Sequence, residues 1–305
     1  MMWLLFAGAS AVLSAAAAIV QKNILFRLSP LEFSFDVSVM ILVLSCALGV
    51  YAGMPMLPAN VVLLIAGKSV LGAAAFLLVM TSLGRNQIST ALPLLGLTPA
   101  AAALLSVPAL GESLGVWEGA ALVLMLAGTF LIEIRPSGFV SSRQNGFYTH
   151  APIIGALLLF AISSVVDKKL VAGMKIDPSV VLVYQHVVYC AVFGLMIAVR
   201  TRTYHMVRMP SADAVATDRP GVFILLRRNL IGLALVAVLT LAYRFAQLEA
   251  AKDAPIALVL AVKRTSILFA SLYGGRFFSD DRLGLKLAGA VLIVGAGFLI
   301  LRFGV

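Results

Sequence analysis

Four basic residues stand where the surrounding sequence is apolar: Lys68, Arg244 and the adjacent pair Lys263 and Arg264. The pair lies near the middle of the stretch 254–282, which is long enough to cross a bilayer. A charged side chain at the centre of a membrane helix costs roughly 2.5–3.5 kcal/mol on insertion scales, so it faces a water-filled cavity or a partner rather than lipid. Adjacent residues project about 100° apart on a helix, so at most one of the pair points straight into a cavity. Arg264 shares its face with Ala257, Ala261, Ser271 and Gly275, small residues that leave room beside it, whereas Lys263 shares its face with Ile256, Val259, Leu260 and Ile267. All four cations sit at a similar depth, measured from one side of the membrane. No acid is expected at that level, because the remaining carboxylates, Asp36 included, fall near span ends or in loops. The chemistry such a layer offers is the binding of an anion in low dielectric.

Other polar positions are weaker candidates. Ser10, Ser14 and Gln21 recur at helical spacing in the first apolar segment and suit either hydrogen bonds to a substrate or close helix packing. Pro93, Thr98, Pro99 and Pro108 crowd the fourth, where each proline removes a backbone hydrogen bond, so a broken helix with carbonyls turned to a cavity is expected. Glu112 and Asp280 sit at loop ends and read as caps or ties between helices. His186 reads as a hydrogen-bonded interior residue. Cys46 and Cys190 define no disulfide framework, and no metal or cofactor site is expected. No HExxH, GxSxG or Walker loop and no intramembrane carboxylate pair is present, which argues against an enzyme.

The elements that hold these residues follow from composition. Of 305 residues 62% are hydrophobic and 12% charged, with mean hydropathy +1.06, which defines a polytopic membrane protein. Ten spans are expected, at 3–21, 33–53, 61–83, 88–109, 115–134, 152–172, 179–199, 229–248, 255–275 and 284–302. The first lacks a basic leader and reads as a retained helix, not a cleaved signal. The net charge of +10 reflects topology, not nucleic-acid binding: fourteen of the 23 Lys and Arg fall on odd-numbered connections, five on the even-numbered side and four within spans. The positive-inside rule then makes the odd connections cytoplasmic and both termini external.

The chain also repeats itself. Segment 77–105 aligns with 244–272 at an offset of 167, pairing Thr98 with Thr265, and GESLG at 111–115 faces SDDRLG at 279–284. Nearer the start, 19–25 aligns with 165–171, and Ser29-Pro30 with Asp177-Pro178, at offsets of 146 to 148. The reading is a first five-helix repeat over 1–136, a connection at 137–151 and a second repeat over 152–305. Because five is odd, the second enters from the opposite face, giving an inverted repeat.

The five-plus-five pattern, Leu83-Gly84-Arg85, the Thr98-Pro99 to Gly111-Glu112-Ser113-Leu114-Gly115 run and the Gly/Ala-rich last spans resemble the EamA branch of the drug/metabolite transporter superfamily. That resemblance implies a ten-helix basket around a central cavity lined mainly by helices 1, 3, 4, 6, 8 and 9, with export of metabolites. Asp280 departs from the second-half glutamate of such proteins, and the external termini depart from their usual orientation. The expectation is an all-α secondary transporter of the inner or plasma membrane that carries a small polar or anionic metabolite by alternating access. The expected partners are the metabolite, a coupling proton or counter-substrate and the lipid bilayer, with no nucleic acid, and the expected state is monomer or homodimer. Expected substrate residues are Lys68, Arg244, Lys263, Arg264, Ser10, Ser14, Thr98 and Pro99. The competing readings are a flippase for a lipid-linked or phosphorylated head group, which would need a lateral opening, and a non-transporting scaffold or sensor.

Overall fold

The computed structural model describes residues 2–25, 28–85, 95–133, 146–207, 222–266 and 283–303. Ten helices lie among them: α1 Met2–Leu25, α2 Pro30–Tyr51, α3 Ala59–Arg85, α4 Thr98–Leu110, α5 Val116–Glu133, α6 Gly146–Lys168, α7 Pro178–Val207, α8 Val222–Asp253, α9 Ile256–Arg264 and α10 Leu283–Phe303. Each corresponds to one expected span, and the described residues contain no strand. Five segments, Met2–Gln21, Pro30–Tyr51, Ala59–Thr81, Pro178–Arg200 and Leu230–Asp253, are long and apolar enough to cross a membrane.

Local chemistry explains the helix ends. Ser29 caps α2 reciprocally with Glu32, with Pro30 opening the helix, and Asp177 does the same work at α7, accepting from Ser179 N–H at 2.8 Å ahead of Pro178. At the other end of α4, Gly111 takes the left-handed conformation (φ +66°) and donates to Val107 O at 3.1 Å. Helices α7 and α8 run to 30 and 32 residues, past the ends expected at 199 and 229. That is about 45 Å or more of helix against about 30 Å of hydrocarbon, so a hydropathy window stops at Arg200 and Arg228 where the helix has no reason to. Likewise α6 begins at Gly146, six residues before the expected start, and carries Pro152 in its interior. It continues into a π turn, Lys169–Gly173.

Two helices are short. The nine residues of α9 and the thirteen of α4 span about 14 and 20 Å, less than the hydrocarbon. Pro99 does not interrupt α4 but opens it, in the first turn where a missing N–H matters least, after a turn at Gly96-Leu97. Lys263 and Arg264 form the last turn of α9, before a turn at Thr265, where cations favour the negative end of the helix dipole. Pro93, Ile267, Ser271, Gly275, Asp280 and the connection at 137–145 lie outside the described residues.

Packing groups the helices in a regular way. α3 packs on α6 and α7, and α4 on α6; α8 packs on α1 and α2, and α9 on α1. Between the two groups α2 packs on α7 and α4 on α9, with lesser contacts of α2 on α3 and of α8 on α6, α7 and the π turn. Beside them α5 lies against α10, where Gly128 is so close that a Cβ there would come within 2.6 Å of Gly289 O. The core is a continuous set of aliphatic side chains with Phe33, Ile65, Ile153, Leu182, Leu248 and Leu258 fully buried.

Candidate functional site

The group formed by α3, α6 and α7 brings together Lys68, Asp167 and Gln185. Lys68 Nζ bonds Asp167 Oδ1, and it donates to Gln185 Oε1 at 2.6 Å. The side chains of Lys68 and Asp167 are each 1% exposed. From the facing group, α8 extends Arg244 across the boundary. Its guanidinium reaches Asp167 Oδ2 at 2.9 Å and Gln185 Oε1 at 3.2 Å, and its other nitrogen donates to Gln247 Oε1 at 3.3 Å. Lys263 on α9 completes the chain, donating to the same Gln247 oxygen at 2.6 Å and standing 4.5 Å over the Tyr243 ring.

The expectation of a basic layer without a carboxylate is therefore corrected. Asp167 lies six residues before the end of the π turn, Lys68 nine residues into α3, Arg244 nine before the end of α8 and Lys263 seven into α9, all at about 9–13 Å from the same side. Asp167 offers one carboxylate to two cations, and the two carboxamide oxygens share the remaining donors. Three cations, Lys68, Arg244 and Lys263, against one carboxylate still leave an excess of positive charge among the described residues of this cluster.

Arg264 is directed elsewhere: it donates to Thr98 Oγ1 at 2.8 Å, at the opening of α4. Thr98 in turn donates to Leu95 O at 2.6 Å, and its repeat counterpart Thr265 donates to Val262 O at 2.7 Å. The broken ends of α4 and α9 thus carry the same hydroxyl-to-carbonyl bond, three residues back in each. Pro99 is buried behind this contact.

The remaining candidates separate. Ser10 is fully buried and donates to Tyr243 O at 2.9 Å, tying α1 to α8; Ser14, one turn on, is half-buried. His186 is buried with Nδ1 2.8 Å from Leu182 O, so Nδ1 must carry the proton, as fits an interior histidine. Glu112 accepts from Ile256 N–H at 3.2 and 3.3 Å and lies 3.7 Å from Lys168, which donates to Ala254 O at 2.8 Å. This ties the ends of α4 and α6 to the start of α9. Exposure sorts the cations: Lys68 is sealed in the core, while 16% of the Arg244 side chain is accessible and Lys263 and Arg264 are half-buried.

The reading of residues missed Asp167 and Gln247. Asp167 aligns with the buried Gln21 of the first half, and Gln185 and Gln247 are uncharged polar residues inside apolar spans; each was a usable signal.

Described residues whose regular structure is helical throughout, with several apolar helices long enough to cross a membrane, fit an integral membrane protein. Residues 1–134, which hold α1 to α5, match the model of the EamA-like transporter family. That family implies a membrane transporter of the drug/metabolite type rather than an enzyme. Among solved structures, one recorded only as the crystal structure of a protein superimposes with TM-score 0.68, over 97% of this chain and 95% of that one, at 17% identity. It is similar in fold alone. No curated protein sequence matches.

Proposed function

We propose that the protein is a secondary transporter, an exporter of a small polar or anionic metabolite, working by alternating access in the inner or plasma membrane. The observation that carries this reading is the cluster at the centre, three cations around one carboxylate, with Arg264 beside it on Thr98 where turns at Gly96-Leu97 and Thr265 bound α4 and α9. Turns that interrupt helical backbone at membrane depth are tolerated where they line a cavity, and fixed positive charge there offsets the desolvation of an incoming anion. Arg244, Lys263 and Arg264, the cations with accessible surface, are the substrate face. Lys68, Ser10, Thr98 and Pro99 support it from behind, and Ser14 is at its edge.

The two halves, 1–136 and 152–305, form an inverted repeat in this reading. Helix contacts support it, since exchanging each helix for its counterpart maps α1 on α8 to α6 on α3, α2 on α8 to α7 on α3, and α1 on α9 to α6 on α4. The capped starts of α2 and α7 and the paired Thr98 and Thr265 bonds support it too. Three of the four cations have no charged counterpart: Lys263, Arg264 and Arg244 align with Gly96, Leu97 and Leu77. The scaffold is duplicated and these charges are not.

The test is thermal unfolding of the purified protein against amino acids, organic acids and phosphorylated metabolites, followed by flux of any stabilising compound in proteoliposomes. A ligand at 100 times its Kd adds about 2.7 kcal/mol to apparent stability. The Lys263→Met/Arg264→Leu double variant is expected to stay folded and lose flux. Stabilisation by cations alone, or undiminished flux in the double variant, would overturn the reading. Flux only of lipid-linked compounds would favour a flippase.

A further inference from the structure

We infer that Asp167 is an internal stand-in for the substrate anion, which holds Arg244 in the empty protein and hands it over when substrate binds. The inference rests on the transport reading above and adds a residue and a step to it.

The argument begins with which contacts cross between the two helix groups. Lys68, Asp167 and Gln185 belong to one group; Arg244, Gln247 and Lys263 belong to the other. Within the groups Lys68 bonds Asp167 and Gln185, and Gln247 accepts from Lys263 at 2.6 Å and from Arg244 at 3.3 Å. Between the groups, at the depth of the cluster, the ionic link is Arg244 to Asp167, at 2.9 Å. Asp167 does not depend on that link alone, because Lys68 stays on its other oxygen, sealed from solvent. Releasing Arg244 therefore leaves a neutral Lys68–Asp167 pair and not a buried bare carboxylate, the outcome that makes breaking buried pairs expensive.

Arg244 is differently placed. Its side chain is partly accessible, and beside it on the same group stands Lys263, bound to a carboxamide oxygen and an aromatic ring, with no carboxylate within salt-bridge reach among the described residues. An anion arriving between Arg244 and Lys263 finds two cations whose present partners are a single carboxylate oxygen, on Arg244, and neutral groups. It can take the place of Asp167 Oδ2 on the guanidinium with the same geometry, since a carboxylate or phosphate matches the planar donor fork of arginine. Two consequences follow. The substrate competes with Asp167, so Asp167 weakens binding and screens out anions too weak to displace it. Substrate binding also removes the ionic link between the two groups, which couples occupancy to their relative movement.

The competition is measured by equilibrium dialysis with radiolabelled inorganic phosphate at constant ionic strength, using the full chain in detergent. Asp167→Asn is expected to bind phosphate at least about fivefold tighter than the wild type, within the usual range of coupling between two ligands of one protein. Arg244→Met is expected to bind no tighter whether or not Asp167 is replaced. Should Asp167→Asn fold poorly, Lys68→Met/Asp167→Asn removes the buried pair as a unit and is expected to show the same tightening. Unchanged or weaker phosphate binding in whichever of these folds overturns the inference, while leaving the transport reading in place. A wild-type protein that binds neither phosphate nor any other anion in the thermal panel overturns both.

Discussion

Removing Asp167 tests whether the buried lattice is what holds the two helix groups together. The side chain is 1% exposed and bonded to both Lys68 and Arg244. Taking one partner out of a buried pair leaves an uncompensated charge, at about 3–5 kcal/mol. Asp167→Leu strands Lys68 with only the Gln185 oxygen and should lie in that range. Lys68→Met should lose less, because Asp167 keeps Arg244. For a chain of this size each kcal/mol corresponds to about 2 °C or somewhat more, so Asp167→Leu should lower Tm by on the order of 10 °C. The double variant removes both charges of the sealed pair and should recover much of the loss, giving a coupling of about 2 kcal/mol. Recovery is incomplete because Arg244 is left with only the two carboxamides. Thermal unfolding in detergent, followed by circular dichroism, reads all four corners of this cycle. Losses that simply add, with coupling under about 0.5 kcal/mol, would refute the reasoning, because the two side chains would then act independently.

Three further outcomes are expected. In proteoliposome flux assays Arg264→Leu should raise KM more than Lys263→Met, since Arg264 has the small Ala257 and Ala261 on its face; the reverse order would assign the open side to Lys263. Gly128→Ala should lower stability by about 1–3 kcal/mol through overpacking against α10, whereas Gly119→Ala on the same helix, with nothing within 4 Å of its Cβ, should be neutral; equal Tm values for the two would remove the close approach. A reporter fused after Val305 should be active only on the external side, as the charge bias requires, and cytoplasmic activity would show that the long connection at 201–228 misled the count.

The apolar segments were readable because membrane helices must satisfy every backbone group internally, so hydropathy and helix coincide over long runs. Where they part, the cause is local. Arg200 and Arg228 end a hydropathy window without ending α7 or α8, and a turn at Thr265 follows α9 in the middle of an apolar run. The basic half of the site was visible as charge out of place. Its acidic half was not, because Asp167 falls near the end of its apolar run and is followed by Lys168 and Lys169, which reads as a loop margin. It is the packing of α6 on α3 that sets Asp167 at bonding distance from Lys68, a residue 99 positions away in sequence. Neither spacing nor composition reports that distance.

The π turn has its own effect on winding. From Gln21 to Pro30 the first half advances nine residues, whereas from Asp167 to Pro178 the second advances eleven. The two extra residues fall where Met174 N–H donates to Lys169 O at 2.9 Å and Ile176 N–H to Leu170 O at 3.1 Å, next to Lys175 in the left-handed conformation (φ +53°). Wider rings take in more chain per turn than an α-helix does. The surplus is coiled up at the margin of the membrane, downstream of Asp167 and upstream of the Asp177 cap. Passed along either helix, each extra residue would have rotated everything beyond it by about 100°. Asp167 or Gln185 would then have faced away from the cations, so this one loose coil keeps two helices of unequal history in phase.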